Sequence, residues 1–288
     1  MKNKILILGA TGMLGNAMMR HLYKTKTDCE VYGTLRSAAG MRHFPEIPQD
    51  RFITGIDVED QDCLLSLFSR VNPNVVINCI GRVKQHAEAN DVLSTLPINA
   101  MLPHRLARLC AVGGARLIHI STDCVFNGEK GGYLETDTSD ATDLYGKSKF
   151  IGELHEPHTI TLRTSIIGHE LGDASSSLID WFLSQKGEIN GYTNAIFSGL
   201  PTVELAEVIG SYVLPRPDLS GLYHVAATPI SKFDLLSIVA RVYSKDITIV
   251  PEHTFCIDRS LNGNKFSHET GYSSDNWPAL IKRMYDFN

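Results

Sequence analysis

A chain of 288 residues, 43% of them hydrophobic and 20% charged, can bury a sizeable core and form one large or two modest domains. Its net charge of −5 gives no electrostatic ground for binding nucleic acid or an anionic membrane. No apolar run reaches the ~18 residues of a membrane span, and six cysteines without a Cys-x-x-Cys pair argue against metal and disulfide frameworks, so a cytoplasmic, enzyme-like chain is expected.

Lys4–Leu8 is a continuous apolar run, as expected of a strand buried on both faces of a parallel sheet. It enters Gly9-Ala10-Thr11-Gly12-Met13-Leu14-Gly15 and then a helical stretch from about Leu14 to Tyr23. Strand, glycine-rich turn and helix together make a phosphate cradle. Glycine lets the backbone approach a pyrophosphate, and the helix N-terminus offers free N–H groups to it. The spacing differs from the commoner Gly-x-Gly-x-x-Gly, so the position between strand and helix carries the signal.

The second strand, Glu30–Leu35, ends at Arg36. Where an NAD-selective fold carries an Asp or Glu for the ribose 2′-hydroxyl, this chain has a guanidinium suited to a 2′-phosphate; NADP(H) is favoured over NAD(H). A third strand over Arg51–Ile56 ends at Asp57 and Val58, a place for adenine to dock. A helix from about Glu59 to Arg70 is broken by Pro73. The fourth strand, Asn74–Ile80, puts Cys79, Ile80 and Gly81 where a flat cofactor passes close to the backbone. Arg82–His86 follows at the carboxyl edge of the sheet, where ligands bind in open α/β folds. There Lys84 and Gln85 read as substrate contacts or, equally, as solvated loop residues.

A helix from Pro97 to Val112 carries Asn99 near its start and is closed by Gly113-Gly114. The fifth strand, Arg116–Ile120, delivers Ser121, Thr122, Asp123 and Cys124 to the same edge, with His119 inside it as a core residue. Past a turn-rich stretch, a helix from Tyr145 to about Leu154 sets Tyr145 and Lys149 one above the other on one face. That is a phenolic proton donor beside a cation expected to lower its pKa. A sixth strand, Thr159–Leu162, runs into Arg163-Thr164-Ser165. The alternation predicts an α/β fold, a doubly wound parallel sheet. Residues 1–165 read as a dinucleotide-binding domain and 166–288 as a smaller, mixed α/β substrate lobe, the two interleaved around one cleft. The lobe is expected to hold helices near Ser177–Gln185, Ser231–Tyr243 and Asn276–Tyr285, with strands at Leu222–Ala226 and Ile247–Val250.

The glycine-rich turn, the hydroxyl pair ending the fifth strand and Tyr-x-x-x-Lys on the next helix together resemble the extended short-chain dehydrogenase/reductase superfamily, with its Rossmann-like sheet. Ser121-Thr122-Asp123-Cys124-Val125-Phe126-Asn127-Gly128, Tyr145-Gly146-Lys147-Ser148-Lys149-Phe150-Ile151-Gly152-Glu153 and Leu162-Arg163-Thr164-Ser165 are similar to its dTDP-4-dehydrorhamnose reductase-like branch. The resemblance implies a reductase of the 4-keto group of a dTDP- or UDP-linked 4-keto-6-deoxyhexose, serving deoxysugar and polysaccharide assembly. It implies catalytic roles for Thr122, Tyr145 and Lys149: Thr122, with Ser121, holds the carbonyl oxygen, Tyr145 protonates it, and Lys149 holds the nicotinamide ribose. Gly9, Thr11, Gly12, Met13 and Leu14 would line the pyrophosphate, and Arg259, before Ser260-Leu261, would grip the nucleotide diphosphate. Asp123, Cys124 and Trp181 are further candidate substrate contacts, with Asp180 and Phe197 beside them. Dimers are common among such enzymes.

One departure concerns Cys124, which stands where that branch usually has an aromatic residue. The related GDP-fucose synthases use a cysteine near this place, paired with a histidine, for epimerisation. Here Ser177 falls at the histidine's position, and His169 is the nearest histidine upstream. The alternatives are an epimerase or dehydratase on the same scaffold, and a non-catalytic regulatory subunit of the kind that partners methionine adenosyltransferase.

Overall fold

The structure is a computed structural model, and it describes residues 2–83, 90–172 and 177–288. Seven parallel strands form the central sheet: β1 (Asn3–Leu8), β2 (Cys29–Leu35), β3 (Phe52–Thr54), β4 (Val75–Asn78), β5 (Arg116–Thr122), β6 (Thr159–Thr164) and, from far along the chain, β10 (Gly221–His224). Their spatial order is β10-β6-β5-β4-β1-β2-β3, so the chain winds outward from β1 in both directions. The point where the winding reverses lies between β1 and β4, which is where open α/β sheets leave a crevice beyond their strand ends.

Each face of the sheet is closed by helices whose apolar side chains recur at helical spacing. One face takes α1 (Met13–Thr25), α7 (Thr202–Val208), α8 (Lys232–Val242) and α10 (Trp277–Phe287), with Met18, Met19, Leu22, Leu205, Leu235 and Leu280 in its core. The other takes α2 (Gln61–Val71) and α4 (Leu102–Gly113), which bury Leu64, Leu67, Leu102 and Leu106 against Leu6, Leu8 and Val76. At roughly 1.5–3 kcal/mol for each fully buried aliphatic side chain, these two layers are the main favourable term in folding.

Several expectations shift. The third strand is short, three residues rather than six, because Gln49–Arg51 turn in a 3-10 helix and Gly55 takes φ +76°. The helix expected from Pro97 starts earlier, as α3 (Val92–Leu96), and passes through a π-helical turn, Pro97–Met101, before α4. Gly114 closes α4 at φ +65°, as the glycine pair predicts. The strand expected at Leu222–Ala226 belongs to the main sheet, as β10 beside β6, rather than to the smaller lobe.

That lobe is built on a second sheet, β11 (Ile230–Ser231), β8 (Glu188–Phe197) and β12 (Thr248–Asp258), in the order β11-β8-β12. The helix predicted near 177–185 is α6 (Leu178–Ser184). Two-residue strands β7 (Ile166–Ile167) and β9 (Leu200–Pro201) pair beneath the lobe, and α9 (Asn264–Thr270) follows β12. In the register, Ser231 pairs with Ile196 from one side of β8 and Asp258 pairs with it from the other, so β8 lies between the start of α8 and the end of β12.

Candidate active site

The glycine turn is shaped by close contact. Gly9 holds φ +81°, and a Cβ on Gly15 would stand 2.0 Å from the Gly9 carbonyl oxygen, so α1 packs onto the turn only without a side chain there. No side chain caps α1 at Gly12, and its first turn carries no acidic residue. Its leading N–H groups and dipole therefore face the cleft, the arrangement that suits a pyrophosphate.

The cleft has a volume of about 380 Å3 and brings together Gly12, Met13, Leu14, Cys79, Ile80, Gly81, Ser121, Thr122, Asp123, Cys124, Tyr145 and Lys149. Five other expected cofactor contacts, Gly9, Thr11, Arg36, Asp57 and Val58, are not among its lining residues. Thr11 is exposed on the glycine turn, Asp57 turns its carboxylate onto the Glu59 N–H at 3.0 Å, and Val58 is 6% exposed in the core. Arg36 is exposed at the end of β2 and makes no ion pair or hydrogen bond among the described residues. Lys84 and Gln85 lie outside the described residues.

Tyr145 reaches Thr122 because the two elements that carry them touch. Asp143 caps α5 (Leu144–Ile151), its Oδ1 accepting from the Gly146 N–H at 2.7 Å. A Cβ on Gly146 would lie 2.2 Å from the Cys124 carbonyl oxygen, so the missing side chain lets α5 rest directly on the turn that ends β5. The Thr122 hydroxyl then hydrogen-bonds the Tyr145 phenol, while also donating to Asp123 Oδ1 at 3.1 Å and accepting from the Cys124 N–H at 3.2 Å. The π-helical turn is part of the same assembly. It aims Asn99, whose Oδ1 accepts from the Arg82 N–H (2.9 Å) and whose Nδ2 donates to the Arg82 carbonyl (3.0 Å) and Ser148 Oγ (3.2 Å), clipping the exit of β4 to α5.

The electrostatics differ from the expectation that Lys149 depresses the Tyr145 pKa. Burial pushes the phenol well above its usual value, Cys124, Asp123 and Asp143 add to the rise, and the Thr122 hydrogen bond opposes it. Lys149 is 5% exposed, and its ammonium donates to the Ile120 carbonyl at 2.7 Å. Burial pulls Lys149 down to about 8, against Glu153, which raises it. Burial also holds the Cys79 thiol at about 12, so it lines the cleft as an apolar surface. His119, fully buried beside Asn78 at 3.3 Å, is held well below its usual pKa by burial and is neutral, the core residue expected.

Ser121 lines the cleft as expected of a cofactor contact, and it is also tied to α5's far end. Its hydroxyl borders the cleft but is turned away, donating to Glu153 Oε1 at 2.7 Å. On the substrate side, Arg259 donates from Nε to the Phe126 carbonyl at 2.7 Å and acts on Asp123, which burial raises and Thr122, Cys124, Arg259 and Lys232 lower. Lys232, the first residue of α8, was not singled out from the sequence. Burial lowers its pKa, Asp123 and Cys124 raise it, and no hydrogen bond holds its ammonium among the described residues. Nothing local distinguishes it from a solvated lysine; the fold brings it within electrostatic reach of Asp123, Cys124 and Arg259.

Other candidates are placed elsewhere. Trp181 is 40% exposed on α6, outside the cleft lining, because its helix buries the Ile179 and Phe182 face instead. Phe197 is core, 5.7 Å from the Trp277 ring. His169 does not partner Cys124: its Nδ1 pairs with Asp180 Oδ1 at 2.6 Å and its Nε2 with the Tyr243 hydroxyl at 2.7 Å. Asp180 is thereby committed, taking also the Ser177 hydroxyl and the Glu170 N–H. The cleft itself is reached by Glu170 and Ser177, which come from a stretch too irregular to read by periodicity. Among the described residues no group of three or more His, Cys, Asp or Glu side chains is placed to hold a metal ion.

The sequence matches the model of the RmlD substrate binding domain over residues 2–286. The chain belongs to that family. An RmlD-family relative, dTDP-4-dehydrorhamnose reductase of Aggregatibacter actinomycetemcomitans, is 32% identical over 241 residues, 80% of this chain and 76% of that one. Methionine adenosyltransferase 2 subunit beta of Danio rerio is 26% identical over 258 residues, 84% of this chain and 74% of its own. The RmlD-type fold is seen in the crystal structure of dTDP-4-dehydrorhamnose reductase from Bacillus anthracis in complex with NADP, which superposes over 100% of both chains with a TM-score of 0.81 at 20% identity.

Proposed function

We propose that this protein is an NADPH-dependent reductase of the 4-keto group of a dTDP- or UDP-linked 4-keto-6-deoxyhexose, working in deoxysugar and polysaccharide assembly. The observation that carries the reading is the convergence of the Thr122 and Tyr145 hydroxyls, with the Lys149 ammonium one turn on, at the mouth of the glycine turn. Family membership gives the substrate class, through the relatives named dTDP-4-dehydrorhamnose reductase.

Residues 2–165 fit a dinucleotide. The uncapped α1 N-terminus and the turn at Gly9, Gly12, Met13 and Leu14 suit its pyrophosphate, and the free guanidinium of Arg36 suits a 2′-phosphate. NADP(H) is favoured, with NAD(H) accepted as an alternative. When bound, NADPH supplies the hydride. Thr122 donates a hydrogen bond to the substrate carbonyl oxygen, and Tyr145 transfers its phenolic proton to that oxygen as negative charge builds there. The raised phenol pKa keeps the proton in place until that moment. Lys149 fixes the nicotinamide ribose and offers the cation next to the phenolate left behind. The lobe around β8, β11 and β12 holds the sugar nucleotide, with Arg259 and Lys232 on its diphosphate and Asp123 and Cys124 against the sugar. The protein acts in the cytoplasm, where nucleotide sugars are made.

The test is oxidation of NADPH, followed by nicotinamide absorbance, with freshly made dTDP- and UDP-4-keto-6-deoxysugars, with and without an added 3,5-epimerase. Turnover that requires the epimerised sugar supports the reading and gives the nucleotide preference. Turnover without epimerase assigns proton transfer to Cys124. The similarity to methionine adenosyltransferase 2 subunit beta supports a second reading, a cofactor-binding regulatory subunit. NADPH binding with no oxidation of any sugar nucleotide favours that one.

A further inference from the structure

Behind the Lys149 ammonium lies an ion pair almost out of reach of water. Glu153 and Arg163 side chains are 2% and 3% exposed. Arg163 donates from Nε to Glu153 Oε1 and from Nη2 to Oε2, both at 2.7 Å, and the Ser121 hydroxyl adds a third bond to Oε1, also at 2.7 Å. The guanidinium extends the network, with Nη1 3.3 Å from His224 Nε2 and its centre 5.1 Å from the Phe126 ring centroid. Both carboxylate oxygens are engaged, so the charge is fixed in place.

Stability alone is a poor reason to keep such a pair. Burying two ions costs several kcal/mol each, and well-packed apolar residues often do as well or better. The position is more informative. Glu153 follows α5 one turn beyond Lys149, and it grips Ser121, the neighbour of Thr122. The groups around Lys149 can be named from each element. On its own helix Tyr145 lies one turn before, and Glu153 follows just past the helix end. From β5 come the Ile120 carbonyl, which takes a proton of the ammonium, and His119, which Lys149 helps keep neutral. From β6 comes Arg163, whose charge faces Glu153. Among the described residues Glu153 is the anion that opposes the desolvation of Lys149.

We propose that Glu153 is a positioning residue for the proton-donating pair: clamped by Arg163 and Ser121, its carboxylate fixes a negative charge one turn beyond Lys149 and anchors the strand end that presents Thr122. Without that charge the buried amine sheds its proton at lower pH and loses the cation that steadies the phenolate. The kinetic arm of this inference rests on the reductase reading; the titration arm does not.

Glu153→Gln keeps the size and an acceptor for Ser121 while removing the charge. Lysines carrying 13C next to Nζ allow direct titration of the protein by nuclear magnetic resonance, with the Lys149 signal identified by its loss in Lys149→Met. In Glu153→Gln the Lys149 midpoint is expected to fall by about one pH unit, and the alkaline limb of kcat/KM to move down with it. An unmoved midpoint overturns the proposal. So does a loss of kcat that is equal at every pH, which is what simple loosening of the fold produces. Should Glu153→Gln prove too unstable, the double variant Glu153→Gln/Arg163→Met strands no charge and is expected to shift the midpoint in the same direction. If the unaltered protein turns over no sugar nucleotide, the reductase reading falls, and the titration still decides the role of Glu153.

Discussion

At the Tyr145 hydroxyl the surroundings work against ionisation: burial and three nearby acidic groups raise the phenol, and the Thr122 hydrogen bond is the one influence from a neighbouring side chain that lowers it. A proton so held is released when the substrate oxygen becomes basic enough to take it, which is the property a general acid needs. Tyr145→Phe is therefore expected to reduce kcat by about 10²–10⁴-fold while NADPH binding, read by fluorescence titration, stays within about twofold. A binding subunit would lose nothing. The half-buried Lys232 supports a different outcome. Its ammonium, unmatched by any hydrogen bond among the described residues, offers a charge-assisted bond to a substrate phosphate. Lys232→Met is expected to raise KM for the sugar nucleotide roughly tenfold with kcat little changed, the signature of lost binding rather than lost chemistry.

Among the elements, α5 and α1 are placed by single contacts. Asp143 caps α5, and Asp143→Ala removes the bond to the Gly146 N–H. The expected cost is about 1 kcal/mol in chemical denaturation, with a fall in kcat because Tyr145 sits in the turn that the cap fixes. Gly15→Ala drives a methyl into the Gly9 carbonyl and is expected to cost roughly 1–3 kcal/mol and weaken NADPH binding more than sugar-nucleotide binding. These helices were legible because capping and glycine chemistry are local. So were β1 and β4, since a strand buried on both faces reads as an almost unbroken apolar run. Of the second sheet, the start of β12 was, as the strand expected at Ile247–Val250, and the rest was not. In β8 the exposed and half-buried residues of Glu188–Asn194 leave a diluted pattern, and β12 is exposed along most of its length, so neither shows the contrast that periodicity needs. Glu170, which lines the cleft, and Lys232, which acts on Asp123, were missed for a related reason: their places come from tertiary packing, which no local spacing encodes. Thr122, Tyr145 and Lys149 were legible because one strand end and one helical turn suffice to bring them together.

Across the whole molecule, a single buried polar chain runs from Ser121 through Glu153 and Arg163 to His224 of β10 and on to the Tyr133 carbonyl. Because arginine only donates, His224 Nε2 must accept and Nδ1–H must donate to Tyr133, which fixes the neutral tautomer. Burial first, then Arg163, holds His224 down to about 3. The sign of the pH effect follows. The unfolded chain takes up a proton below about pH 6.5 that the native protein refuses until about pH 3, so the stability tied to this histidine is complete above about 6.5 and drains away as the pH falls. The unfolding free energy from urea titrations is expected to drop on the order of 3 kcal/mol from this source between about pH 6.5 and about pH 4. In His224→Gln the midpoint should start lower at neutral pH and show a shallower decline.

The late arrival of β10 bears on how the protein is made. A ribosome adds about 5–20 residues each second, so several seconds separate the emergence of β6 from that of its outer neighbour. For that interval β6 is a raw flank with unpaired backbone groups, and Arg163 waits for the histidine it will meet. Until residue 224 is out that edge lacks its partner, and strand β8, which belongs to the second sheet, is synthesised in the gap. The same order has a consequence for cutting the chain: a fragment that ends anywhere between β6 and β10 is one strand short, and its bare β6 edge is expected to make it aggregate, read by light scattering.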